Sequence, residues 1–132
     1  MDSAIKSRNN RWEDEMIRIK NIEVLESMLV HPAHPKLIDL LKWFCARYSE
    51  TVFTGMFEER DYSSVHSVVP VRGMDIRSSV FPDPQAVADD INNHWIYDTD
   101  RPWLMCAMFH DVGRGPHFHL QVHHNTVRRE EF

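Results

Sequence analysis

Apolar positions recur at steps of three or four over some stretches of this chain and at every second residue over others, which predicts helices and strands together. From Arg11 to Leu29 the apolar set is Trp12, Met16, Ile19, Ile22, Leu25, Met28 and Leu29, with a charged opposite face, the pattern of an amphipathic helix. His31-Pro32-Ala33-His34-Pro35 breaks it, because proline removes a backbone donor and disfavours helix in the residue before it. His31 and His34 read as linker residues. Pro35 can open a second helix over Lys36 to Ser49, striped by Leu37, Leu40, Leu41, Phe44 and Tyr48. A third helix opens at Pro82-Asp83-Pro84, where Asp83 can cap free amides and Val87, Ala88, Ile91 and Trp95 supply the buried face.

Strand character lies between and after these helices. Thr51-Val52-Phe53-Thr54-Gly55 is β-branched and aromatic, Glu58 to Ser64 reads as a loop, and Gly73-Met74-Asp75-Ile76-Arg77 alternates as a second strand. Trp103 to His110 is a continuous apolar run of strand length, and His117 to Val122 has period two. Gly113-Arg114-Gly115-Pro116 between them suits a hairpin turn. If Val112 pairs with His117, His110 faces His119 and three imidazoles share one surface. The expected fold is α+β: one domain over residues 1–132, with about three helices packed on one face of a small, mainly antiparallel sheet.

Composition sharpens this picture at one point. The chain of 132 residues carries nine histidines, four of them between Pro116 and Asn125, and imidazole is the commonest metal ligand. A formal charge of −5 lacks the basic stripe that nucleic-acid binding requires, so nucleic acid is not an expected partner. Arg128-Arg129-Glu130-Glu131 reads as a solvated tail. Cys45 and Cys106 sit in apolar runs without a cysteine at metal-ligand spacing and read as buried free thiols. The start of the chain lacks the features of a signal peptide and no run reaches membrane-spanning length, so a soluble product made in the cytoplasm is expected, without a membrane partner. Asp98-Thr99-Asp100 lacks the glycine and distal glutamate of a calcium loop.

In His117-Phe118-His119 the two imidazoles project from one face of a strand and can approach one ion. A catalytic zinc takes three nitrogen or oxygen ligands and leaves a position for water, and His66 on a loop, Asp75 on the next strand and His119 on a later strand supply such a set. The plainer alternatives are a solvated loop histidine at His66 and a carboxylate at Asp75 paired with Arg72 or Arg77.

Several of these segments together resemble the zinc D-alanyl-D-alanine carboxypeptidases and dipeptidases, a superfamily shared with hedgehog-type and lysostaphin-type peptidases. The resemblance rests on Thr54-Gly55-Met56-Phe57, Ser64-Val65-His66, Gly73-Met74-Asp75-Ile76-Arg77 and His117-Phe118-His119, in family order from about Pro35 to Val122. It implies a hedgehog-like fold and zinc on His66, Asp75 and His119. It also implies His117 as the group that accepts a proton from the attacking water, and a peptidoglycan stem peptide as substrate. Zinc lowers the pKa of bound water to about 7 and polarises the scissile carbonyl. His110 is expected to support His117 or His119 by a hydrogen bond from outside the ligand set. The chain departs from the family in a longer interval between His66 and Asp75, in Pro116 where a glutamate base stands, and in Glu58 where an arginine closes the strand. Oxyanion stabilisation then falls to Arg60, Arg72 or Arg114. Without a signal peptide, reaching the periplasm or wall would need a phage holin, a virion or another export route. Two other readings stay open: a non-catalytic zinc-binding domain, such as a phage structural component, and a cupin-like mononuclear iron enzyme.

Overall fold

The structure is a computed structural model that describes residues 17–56, 69–111 and 115–131. Its elements are β1 (Arg18–Ile19), α1 (Ile22–Val30), α2 (Pro35–Arg47), β2 (Val52–Gly55), β3 (Gly73–Arg77), α3 (Pro84–His94), β4 (Trp95–Ile96), β5 (Ala107–Asp111), β6 (Pro116–Gln121) and β7 (Val127–Arg128). A short 3-10 turn follows at Arg129–Glu131. Five strands form one sheet in the order β1-β2-β3-β6-β5, and β4 and β7 form a second. Only β1 and β2 run parallel, so the α+β, mainly antiparallel expectation holds.

Local chemistry sets the helix boundaries. Asp83 accepts from the Ala86 N–H at 3.2 Å and Pro84 opens α3, as its sequence predicts. At α2 the cap is His34, whose Nδ1 accepts from the Lys36 N–H at 3.0 Å, so this histidine is a helix cap and not a bare linker residue. The predicted helix from Arg11 is corrected over its described part. Asn21 accepts from the Val24 N–H at 3.0 Å and starts α1 there, while Arg18–Ile19 joins the sheet beside Val52–Phe53. Ladder hydrogen bonds to an existing strand outweigh helix periodicity at that end; residues 11–16 lie outside the described chain.

Two further expectations change. The apolar run from Trp103 is strand only from Ala107, because residues 98–106 turn on hydrogen bonds from Arg101 N to Asp98 O and from Leu104 N to Arg101 O, both 3.0 Å. The tail is not wholly solvated, since Arg128 pairs with Trp95 across β4 and β7 and is half-buried.

Alternation divides the large sheet into two faces. Met74 and Ile76 of β3, Phe118 and Leu120 of β6, and Ala107 of β5 join Leu37, Leu40 and Phe44 of α2 and Val87, Ala88 and Ile91 of α3 in one core. Burying each large apolar side chain there contributes roughly 1.5–3 kcal/mol. The helices therefore cover one face, and the residues of opposite parity, among them Asp75, His117 and His119, stand on the other.

Candidate metal centre

Asp75 lies at the middle of β3, directly opposite His119 of β6, and Arg77 lies opposite His117. On the far side of β6, His119 faces Met108 and His117 faces His110 of β5. The hairpin register therefore differs by two residues from the expected one. A slip of one would have sent His110 to the core; a slip of two keeps it on the same surface. Three imidazoles do share that surface, with ring centroids 5.0 Å apart for His110 and His117 and 6.1 Å for His110 and His119.

Hydrogen-bond partners determine which ring nitrogens carry protons. The Gln121 amide donates from Nε2 to the Met105 carbonyl at 3.0 Å, which turns its Oε1 toward His119 Nε2 at 3.2 Å. An amide oxygen only accepts, so His119 Nε2 carries a hydrogen. In the neutral ring the lone pair then sits on Nδ1, which is 3.1 Å from Asp75 Oδ1. Two acceptors at that distance need a proton, held by the ring or by the carboxyl, or a metal ion between them. Oxygen and nitrogen ligands of one tetrahedral zinc lie about 3.3 Å apart, close to the observed separation.

His117 repeats the pattern on the same carboxylate oxygen. Its Nδ1 is 3.3 Å from the Gly115 carbonyl, to which it must donate, and its Nε2 stands 3.9 Å from Asp75 Oδ1. In its neutral form it too presents a lone pair toward Asp75. Burial first, and then the neighbouring His117 and His119 rings, hold His110 below the usual imidazole range, so it is neutral at pH 7. Asp75 and His119 are buried and His117 is half-buried.

Not every expected residue meets here. His66, Arg60 and Arg114 lie outside the described residues. Arg72 turns elsewhere, with Nη1 3.3 Å from the Tyr97 hydroxyl and 3.2 Å from the Val122 carbonyl. Among the described residues His110 makes no hydrogen bond to His117 or His119 and instead meets His117 edge to face. Among the described residues no three His, Cys, Asp or Glu side chains converge well enough to hold a metal ion by themselves. A metal ion here would find Asp75 and His119 as two ligands and would need a third from beyond them.

Gln121 was not singled out by the motif, although its signal was present. It stands two residues after His119 on a strand of period two, so it shares the face of His117 and His119. Arg77, opposite His117, is the strand cation that the register brings to this face. No described helix is long and apolar enough to cross a membrane. Comparison with protein-family models, characterised proteins and solved structures finds none that matches this chain.

Proposed function

We propose that the chain is a zinc-dependent peptidase acting on peptidoglycan stem peptides, built on a hedgehog-like fold, with His66, Asp75 and His119 as ligands. The observation that carries the reading is the chain of contacts from Met105 O through Gln121 and His119 to Asp75, which leaves a nitrogen lone pair against a carboxylate. Metal-ligating histidines commonly donate their other N–H to such an acceptor. Zinc held by His66, Asp75 and His119 would supply polarisation of the scissile carbonyl and acidification of the attacking water.

The chain's own residues do the rest. Gln121 holds the His119 ring in one tautomer and orientation. Hydrogen bonding to Gly115 O keeps the His117 proton on Nδ1, so Nε2 is the atom that takes a proton from water and returns it to the leaving amine. Pro116 offers no carboxylate for that task, and its carbonyl accepts from Ser78 Oγ at 2.9 Å. Arg77 is the cation best placed by register to meet an oxyanion, with Arg60 and Arg114 as the alternatives. A zinc ion held by these residues with His117 as base would suit hydrolysis of a carbonyl compound, and the resemblance to the D-alanyl-D-alanine peptidases directs the choice to the amides of stem peptides.

Pro116 also supports the second reading, a domain that keeps the metal and has lost the base. Purified protein loaded with zinc and incubated with muropeptides separates the two, with products read by mass. His119→Ala is expected to lose both zinc and cleavage, and His117→Ala to keep zinc and lose cleavage. If both variants retain wild-type zinc and turnover, these roles are wrong. Zinc without cleavage in the wild type selects the non-catalytic reading.

A further inference from the structure

Exposed apolar side chains concentrate in one part of this chain. Of the nine large hydrophobic residues that stand exposed among the described residues, six lie between Ile17 and Ile38. Scattered singly, such residues need no explanation, but a patch of them marks a surface that meets something. Here they accompany two shapes, a ridge and a groove.

The ridge is the outer face of α1. At the helical period Ile22, Glu26, Leu29 and Val30 fall within roughly 100° of arc, and Ile22 and Leu29 are 69% and 77% exposed. Glu23 borders the same face. Beside the ridge lies a groove of about 510 Å3, walled by Met28 of α1 and by Ile38, Leu41 and Cys45 of α2, over a floor that includes Phe53 and Met74. Lys42 is the charged residue of this lining among the described residues. Met74 points to the helix side of the large sheet and Asp75 to the other, so ridge and groove lie away from the candidate metal centre.

The charges on this surface are unanswered. Among the described residues no ion pair includes Glu23, Glu26 or Lys42. Asp39, three residues before Lys42, stands farther round α2 from the groove. The groove thus suits an apolar ridge that carries carboxylates, and the ridge suits an apolar groove that carries a cation. A lipid tail would fill the groove and leave the ridge uncovered. A second copy of the chain brings both shapes and both signs of charge, and the exchange is reciprocal, so the contact closes on a two-fold axis.

We propose that the chain forms a symmetric dimer in which α1 of each copy lies in the groove of the other, with Glu26 facing the partner's Lys42. This is helix-in-groove recognition applied to a second copy of the same surface. It leaves both Asp75 faces open and is independent of the peptidase reading.

The test is sedimentation equilibrium of the full chain over a concentration series that resolves dissociation constants from about 1 μM to 1 mM. A monomer–dimer equilibrium without larger species is expected. Glu26→Lys and Lys42→Glu each set like charges against each other at both symmetric contacts, and each is expected to weaken the dimer about tenfold. Combining them in one chain restores the attraction with its sign exchanged and is expected to bring affinity back to within about threefold of wild type. Leu29→Gln keeps helix propensity, removes the apolar contact and is expected to yield monomer. Unchanged far-ultraviolet circular dichroism verifies that the variants fold. A wild type that stays monomeric, assembly that grows past the dimer, undiminished dimer in the folded single variants, or a combined variant no tighter than the single charge reversals overturns the proposal. A monomer that floats with phosphatidylcholine–phosphatidylglycerol vesicles overturns it in favour of a lipid surface.

Discussion

Gln121→Leu isolates the contact on which the proposed metal centre depends. Leucine keeps similar bulk at a half-buried position and removes both ends of the amide bridge, the acceptor 3.2 Å from His119 Nε2 and the donor 3.0 Å from Met105 O. Losing an outer hydrogen-bond partner of a metal-ligating histidine lowers metal affinity about 10- to 100-fold, or roughly 1.4–2.7 kcal/mol. The low end applies here, because water can reach a half-buried strand position and replace part of the acceptor. The expected loss in zinc affinity is therefore about tenfold. Gln121→Glu is the informative partner. It retains an acceptor for His119 Nε2, now charged, and loses only the donation to Met105 O, so zinc affinity stays level or rises. Competition with a fluorescent zinc chelator at neutral pH measures all three proteins. Equal affinity in Gln121→Leu and wild type would refute the reasoning, as would a loss in Gln121→Glu as large as that in the leucine variant. Either result would mean that the Gln121 amide does not support a zinc-ligating His119.

Further outcomes follow from burial and charge. Phe118 is fully buried between Phe81 and Phe109, at ring distances of 5.5 and 5.6 Å, so Phe118→Ala is expected to cost about 3–5 kcal/mol, read as a lower urea midpoint at unchanged slope. The Asn125 amide, the Asp100 N–H and Arg101 hold the Asp98 carboxyl below the usual carboxylate range against the burial that opposes them. A depressed carboxyl contributes stability above its unfolded value and loses it as pH falls, so the stability gap between wild type and Asp98→Asn is largest near neutrality and narrows progressively below about pH 3.9. Burial pushes the Cys106 thiol up to about 12, and raises that of half-buried Cys45 as well. Titration with a thiol reagent at pH 8 is expected to label Cys45 slowly in the native protein and Cys106 only after unfolding. Rapid native labelling of Cys106 would contradict its burial.

Where local signals and tertiary demand agree, the elements could be read directly from the residues. Asp83 and Pro84 open α3, Pro35 opens α2, and β3 matches its alternating run from Gly73 to Arg77. Reading failed where a distant partner decided. The apolar spacing around Ile19 is compatible with a helix until β2 offers Arg18–Ile19 a ladder. The run from Trp103 to Cys106 is apolar enough for a strand, but Asp98 accepts from the Asp100 N–H at 2.9 Å and from Arg101 Nε at 2.7 Å, and so bends that segment away. The pairing of Trp95 with Arg128 joins residues far apart in a chain whose tail looked merely charged.

The candidate centre shows the same division at finer scale. Period two places His117 and His119 on one surface and a hairpin register of the right parity adds His110, so the two-residue difference in register leaves that conclusion untouched. Which nitrogen of each ring carries the proton is not a property of the motif. It depends on the Gly115 carbonyl for His117 and on Gln121, itself oriented by Met105, for His119. Both outer partners leave lone pairs facing Asp75 Oδ1, the arrangement that a cation resolves and that an ordinary histidine–carboxylate hydrogen bond avoids by donating its proton inward. If the centre were a neutral ring donating to Asp75, the Gln121 amide would gain nothing by presenting its oxygen to His119 Nε2, whereas a doubly protonated ring and a metal-bound ring both donate to it. The orientation of one glutamine side chain therefore separates a cation at this contact, whether ring proton or metal ion, from a neutral hydrogen-bonded pair, and metal titration separates the two cations.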